Sequence, residues 1–123
     1  MSLSLALLIL GRVLMGGYFL WAGLHHFTIL DPVSKAMAAR GVPQARLVLI
    51  AASSFQIVCG AALMLGLYVA LVAIGLILFT IAASIMLVNF WDMEGAAREG
   101  ALGTFKSNAA LVGGLMVTAT TGL

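Results

Sequence analysis

Between Leu47 and Trp91 the chain alternates no polar with apolar positions; it is apolar almost throughout and carries no Asp, Glu, Lys or Arg. A helix crosses about 30 Å of hydrocarbon with about 20 apolar residues. This stretch is roughly twice that long, so it predicts two spans joined by a tight turn at Gly66-Leu67-Tyr68. Gly tolerates positive φ, and Tyr suits the membrane–water boundary. The same pattern predicts one further span on each side, giving crossings at about 3–24, 44–65, 69–90 and 107–121. The expected fold class is therefore all-α: an integral membrane four-helix bundle in a single domain, 1–123.

The polar segments between the spans refine this. From His25 to Val42, Asp31 is a helix-cap residue, Pro32 fits a first helical turn, and Gly41 with Pro43 makes a stop signal. Val33, Ala36, Met37 and Arg40 recur at helical spacing. These predict a short interfacial helix over about 32–40, with Lys35 and Arg40 reaching headgroups and Pro43 opening the second span. The segment 91–106 reads as a solvated loop. Small residues punctuate the spans: Gly16 and Gly23 on one face of the first, Ala62 and Gly66 in the second, and Ala109/Gly113 with Ala110/Gly114 in the fourth. Such spacing lets helix backbones approach closely.

Composition agrees with a bilayer environment. The 123 residues are 63% hydrophobic and 8% charged, against about 25% charged in soluble domains. The net charge of +2 contains no basic run, so nucleic acid is excluded as a partner. The lone Cys59 rules out an intrachain disulfide and a Cys-x-x-Cys redox pair. The first apolar stretch runs past signal-peptide length with no basic n-region, so it is expected to stay as a span. Lys35, Arg40, Arg46, Arg98 and Lys106 lie in or beside the first and third loops, whereas Arg12 alone lies toward the termini. The positive-inside rule then places those loops in the cytoplasm and the termini outside.

A few polar residues need an explanation. Arg12 lies inside the first span, where a charge costs about 2.5–3.5 kcal/mol at mid-depth. It either snorkels to the headgroups or answers to a group outside the chain. Gln56 falls near the midplane, with an amide to satisfy by an interhelical bond or a ligand. An Arg12–Gln56 contact is compatible with these depths. His25 and His26 are adjacent and share no helix face, so they do not form a chelate, and no metal is expected. His26, Asn89, Trp91, Asp92, Lys106 and Asn108 converge on the loop side. Arg12, Gln56, His26, Trp91 and Asn108 are the candidate ligand or partner contacts. No nucleophile–base pair, phosphate loop or paired carboxylate stands out, so no catalytic residue is assigned.

The order of these features resembles the DoxX family of small four-span bacterial membrane proteins. Arg12, Gly16-x-x-Phe19 and Gly23 ahead of His26 resemble its first span, and Met37 with Gly41-Val42-Pro43 resembles its first loop. Phe90-Trp91 resembles the end of its third span, and Asn108 with Gly113-Gly114 resembles its fourth span. Gln56 stands where the family usually has Glu, and Val88 where it often has His. The resemblance implies a bacterial inner-membrane protein associated with membrane oxidoreductases. The expected function is a non-catalytic accessory subunit of an electron-transfer assembly, with other membrane subunits and the lipid bilayer as partners. The alternatives are a quinone- or lipophile-binding bundle and a membrane-protein assembly factor. No cofactor is expected, and a quinone is the candidate ligand.

Overall fold

The computed structural model describes residues 2–123, and every regular element among them is helical. The elements are α1 (Leu3–His26), α2 (Leu30–Ala39), α3 (Ala45–Leu65), α4 (Val69–Leu87), a 3₁₀ turn (Phe90–Asp92) and α5 (Gly95–Thr120). Three stretches are long and apolar enough to cross a membrane: Leu3–His26, Ala45–Leu65 and Val69–Asp92. In α5 the run Lys106-Ser107-Asn108 and paired glycines dilute the apolar character.

The buried stripes are small and polar, and the exposed faces are greasy. Gly16, Phe19 and Gly23 are buried on α1; Ser53, Gln56 and Gly60 on α3; Ala73, Thr80 and Ser84 on α4. Leu7, Leu14, Val58, Leu71 and Leu78 face outward. This inversion is the arrangement that a lipid solvent permits, because apolar side chains gain nothing by leaving hydrocarbon and small ones let backbones meet.

The α1–α3 pair is the tightest. A Cβ on Gly16 would come within 2.5 Å of the Gly60 carbonyl oxygen, and one on Gly23 within 2.7 Å of the Ser53 carbonyl oxygen. At the far end Arg12 lies over Gly66. The register therefore leaves Leu3–Gly11 beyond the end of α3. A core of Phe19, Leu63, Val69, Ala73, Leu76, Leu115 and Ala119 joins α1, α3, α4 and α5 on that side.

The two tight turns follow from local chemistry. Gly66 adopts φ 76°, its N–H donates to the Leu63 carbonyl and that of Leu67 to the Ala62 carbonyl, which together make a Schellman stop. Tyr68 then opens α4 at φ 50°. The α2 end repeats the device: Gly41 sits at φ 90°, and the Val42 N–H donates to the Met37 carbonyl. Val42 and Met37 also pack together with Ala45 and Leu49, which is the apolar contact that accompanies this motif.

Several expectations are corrected. α2 begins at Leu30 rather than Pro32, and the cap position, Ile29, makes no side-chain cap bond. Asp31 lies within the first turn and pairs with Arg46, while Leu30 and Val33 are drawn against the Met37–Leu49 cluster. Gln44, in the left-handed region at φ 49°, separates Pro43 from the start of α3. Arg40 turns inward to Asn89 and Asp92 instead of reaching outward. The long loop 91–106 is mostly helix. Gly95 starts α5 at φ 64°, Arg98 lies 5.4 Å over the Phe90 ring, and Phe105 packs edge-on against Phe90. Arg98, Glu99 and Lys106 of that segment lie on α5, with Asp92 and Glu94 just ahead of it.

A candidate lipophile site between the helices

The loop-side half of the bundle is less tightly filled than the turn side. A cavity of about 360 Å³ opens there between α1, α2, α3, α4 and α5. Its walls are Tyr18, Phe19, Val33, Met37, Leu49, Phe79, Met86 and other apolar side chains. Its polar lining is confined to His26, Gln56, Thr80, Thr104 and Asn108, plus the Tyr18 hydroxyl. Apolar walls with a few convergent polar groups are the usual make-up of a small-molecule site, and this volume lies at the small end of that class.

Each polar group is positioned by its helix. Gln56 lies on the buried α3 stripe, four residues before Gly60, and is 6% exposed. Thr80 lies on the buried α4 stripe and is 4% exposed. Gln56 is eleven residues before Leu67 and Thr80 thirteen after it, so the two stand within about 3 Å of the same depth. Gln56 Oε1 and Thr80 Oγ1 make no well-formed hydrogen bond within the protein, and the Gln56 amide lies within reach of the His26 ring. An unpaired buried polar atom costs about 1–3 kcal/mol, and both belong to residues of the cavity wall, with the atoms themselves turned away from its open space.

The neighbouring polar groups are already engaged. His26 Nδ1 shares a hydrogen bond of 3.2 Å with Ser53 Oγ. Asn108 Nδ2 donates to Ser84 Oγ at 2.9 Å, and Ser84 Oγ donates to the Thr80 carbonyl at 2.7 Å. That relay ties α5 to α4 beside the cavity. At the loop-side end Val33, Met37 and Val42 cover the cavity opposite Leu87 and Val88. The Arg40–Asn89 bond, with Asp92 also accepting from Asn89 Nδ2 at 2.7 Å, clasps these two edges.

Of the five expected contact residues, the structure brings Gln56, His26 and Asn108 to one cavity. It separates the other two. Arg12 lies at the α3–α4 turn, its Nη2 placed so that a Cβ on Gly66 would come within 2.9 Å. Ten residues of α3 divide it from Gln56, about 15 Å at helical rise, and no contact between them forms. The α1–α3 register causes this, since Gly23 and not Arg12 is the residue packed against Gln56. Trp91 is half-exposed and stacks edge-on with Phe90 at 5.5 Å and Phe105 at 6.1 Å, outside the cavity. Thr80 is a further polar residue of the wall outside those five, marked in the sequence by a Thr and a Ser four apart in an otherwise apolar span. No group of three or more His, Cys, Asp or Glu placed to hold a metal ion occurs among the described residues.

The family model for DoxX matches residues 7–89, from the second turn of α1 to the end of α4. The chain belongs to the DoxX family. With its long apolar helices it is an integral membrane protein. The DoxX match includes His26, Gln56 and Thr80 and ends before Trp91 and Asn108. No curated protein and no solved structure matches the chain.

Proposed function

We propose that this DoxX protein is a membrane bundle that binds a small lipophile between its helices. The observation that carries the reading is the cavity itself, an apolar space between the helices with His26, Gln56, Thr80 and Asn108 grouped in its wall. Polar groups inside a membrane bundle are costly when unpaired, and an occupant that engages the polar wall residues would offset part of that cost. On this reading α5 is the fourth crossing, α2 lies at the loop-side interface, and the basic loop side faces the cytoplasm of a bacterial inner membrane. The role is binding, with His26, Gln56, Thr80 and Asn108 as contacts.

A second reading, the accessory subunit of a membrane oxidoreductase, is favoured by one observation. A Cβ on Gly103 or Gly113 would meet nothing within 4 Å, so part of α5 presents small residues that no helix of this chain covers. Another subunit would fit there.

Native mass spectrometry after extraction in mild detergent tests the two. The binding reading expects one neutral small molecule per chain, lost in a folded Ala83→Phe variant whose side chain fills the cavity. A fixed-ratio complex with redox subunits and no small molecule would overturn it in favour of the accessory subunit.

A further inference from the structure

The two arms of the α3–α4 hairpin leave one turn, so depth along them can be compared residue by residue. Residues 55 and 79 each stand twelve positions from Leu67, residues 52 and 82 fifteen, and residues 48 and 86 nineteen. Each pair therefore lies at one level across the seam. On α3, residues 48, 52 and 55 share one helix face; on α4, residues 75, 79, 82 and 86 do the same. Nearest the turn the seam is shut. The Phe55 ring lies against Gly75, where a Cβ would come within 3.3 Å of it, and against the Phe79 ring at 5.6 Å. The next level offers only Ala52 and Ala82, and the one beyond it Val48 and Met86. All four border the cavity. Yet Ala82 is exposed on the outer surface, Val48 is 39% exposed and Met86 51%. Side chains that border both the cavity and the outer surface mark an opening between the two.

The other boundaries are closed or polar. Gly16 and Gly23 hold α1 against α3 by backbone contact. The Asn108–Ser84 bond ties α5 to α4. Val33, Met37 and Val42 roof the loop-side end, and the core around Phe19 and Leu115 fills the turn side. The α1–α5 flank carries Tyr18, His26, Thr104 and Asn108. The α3–α4 gap is the apolar way in. Ala52 lies seven residues inside the start of α3, about 10 Å along the span, which is the depth of hydrocarbon.

We propose that the cavity is filled sideways from the bilayer, by the hydrocarbon chain of a lipid that enters between Ala52 and Ala82. This rests on the lipophile-binding reading and adds where the ligand comes from. The Phe55–Phe79 pair is the sill of the opening, and α2 closes the aqueous side. A chain taking this route exchanges one apolar surrounding for another and is never hydrated. The occupant is thus a membrane-dissolved chain and not a water-borne solute.

The full-length protein in phosphatidylcholine vesicles tests this with two photoreactive probes, a diazirine-bearing hexadecanol and a phosphatidylcholine with the diazirine on one acyl chain. Adducts are mapped by mass spectrometry. They are expected on the cavity residue Ala83 as well as on the outward Leu71 and Leu78. Inward adducts from hexadecanol alone would assign a free single-chain lipophile, and inward adducts from the phosphatidylcholine a bilayer phospholipid; both support entry from the membrane. Val48→Trp combined with Ala82→Trp, two positions on the outer surface, should lose the inward adducts and keep the outward ones. Joining Arg40→Cys to Asn89→Cys with a bis-maleimide, in a Cys59→Ser background, locks the roof and should leave labelling of Ala83 unchanged. Inward labelling that survives the paired tryptophans, or that locking the roof abolishes, would overturn the lateral route while leaving lipophile binding in place. Absence of inward adducts from both probes would remove both.

Discussion

Gly16 and Gly60 face each other so closely that each would drive a Cβ into the other's carbonyl oxygen, at 2.5 and 2.6 Å. The α1–α3 pairing is therefore made by two backbones in direct contact, with no side chain between them. Gly60→Leu is expected to force the helices apart at a cost of about 3 kcal/mol, seen as a lower Tm in detergent and loss of a monodisperse peak. Gly113→Leu, where nothing lies within 4 Å, is the matched control and should leave both unchanged. Equal tolerance of the two substitutions would contradict the contact.

Thr80 allows a test in which stability and binding move in opposite directions. Its hydroxyl is buried without a partner. Thr80→Val keeps the shape and removes the orphaned group, so the empty protein should gain about 1 kcal/mol. Ligand-induced stabilisation, the rise in Tm on adding a bound lipophile, should fall in the same variant. A purely structural threonine would show no such divergence.

Arg12 is expected to matter for the turn and not for the cavity. Its guanidinium sits at the C-terminal end of α3, where a cation is favoured by about 0.3–1 kcal/mol. Arg12→Gln should cost no more than that and leave ligand affinity as in the wild type. Gly66→Ala combines an unfavourable φ of 76° with a clash against the same guanidinium, so it should destabilise more than Arg12→Gln does. Loss of ligand in Arg12→Gln would mean that the site extends to the turn.

The Arg40 clasp predicts a local effect. Arg40→Ala frees α2 from Asn89 and Asp92, interactions worth under about 1 kcal/mol together at this exposure. Amide hydrogen exchange should rise over residues 30–42 while α3 and α4 stay protected. Ligand dissociation should quicken, because α2 covers the loop-side end of the cavity. Unchanged exchange in α2 would show that its apolar contacts alone hold it.

The elements were legible where the chemistry is local. The charge-free run from Leu47 to Trp91, the stops at Gly41 and Gly66, and Pro32 in a first turn all follow from single residues and their neighbours. Residues 95–106 were not legible, because Arg98, Glu99 and Lys106 read as loop when only charge is counted, although Ala96, Ala97 and Ala101 favour a helix. Depth was legible for Gln56 but not for Arg12. Counting from either end of α1 places Arg12 well inside, and only the α1–α3 register sets it level with the turn. The partner of Asp31 was hidden for a similar reason, since Arg46 lies fifteen residues away and meets it through the packing of α2 on α3.

The stretch Leu3–Gly11 has a consequence for the surrounding membrane. It carries α1 about 13 Å past the α3–α4 turn, and Leu3, Leu5, Leu7 and Leu10 along it are bare. One edge of the bundle thus presents a tall apolar wall, and the edge at Gly66–Tyr68 a short one. Lipids ringing the protein meet a step in hydrophobic height, and a bilayer accommodates such a step by thinning over the low edge or by tilting the whole bundle.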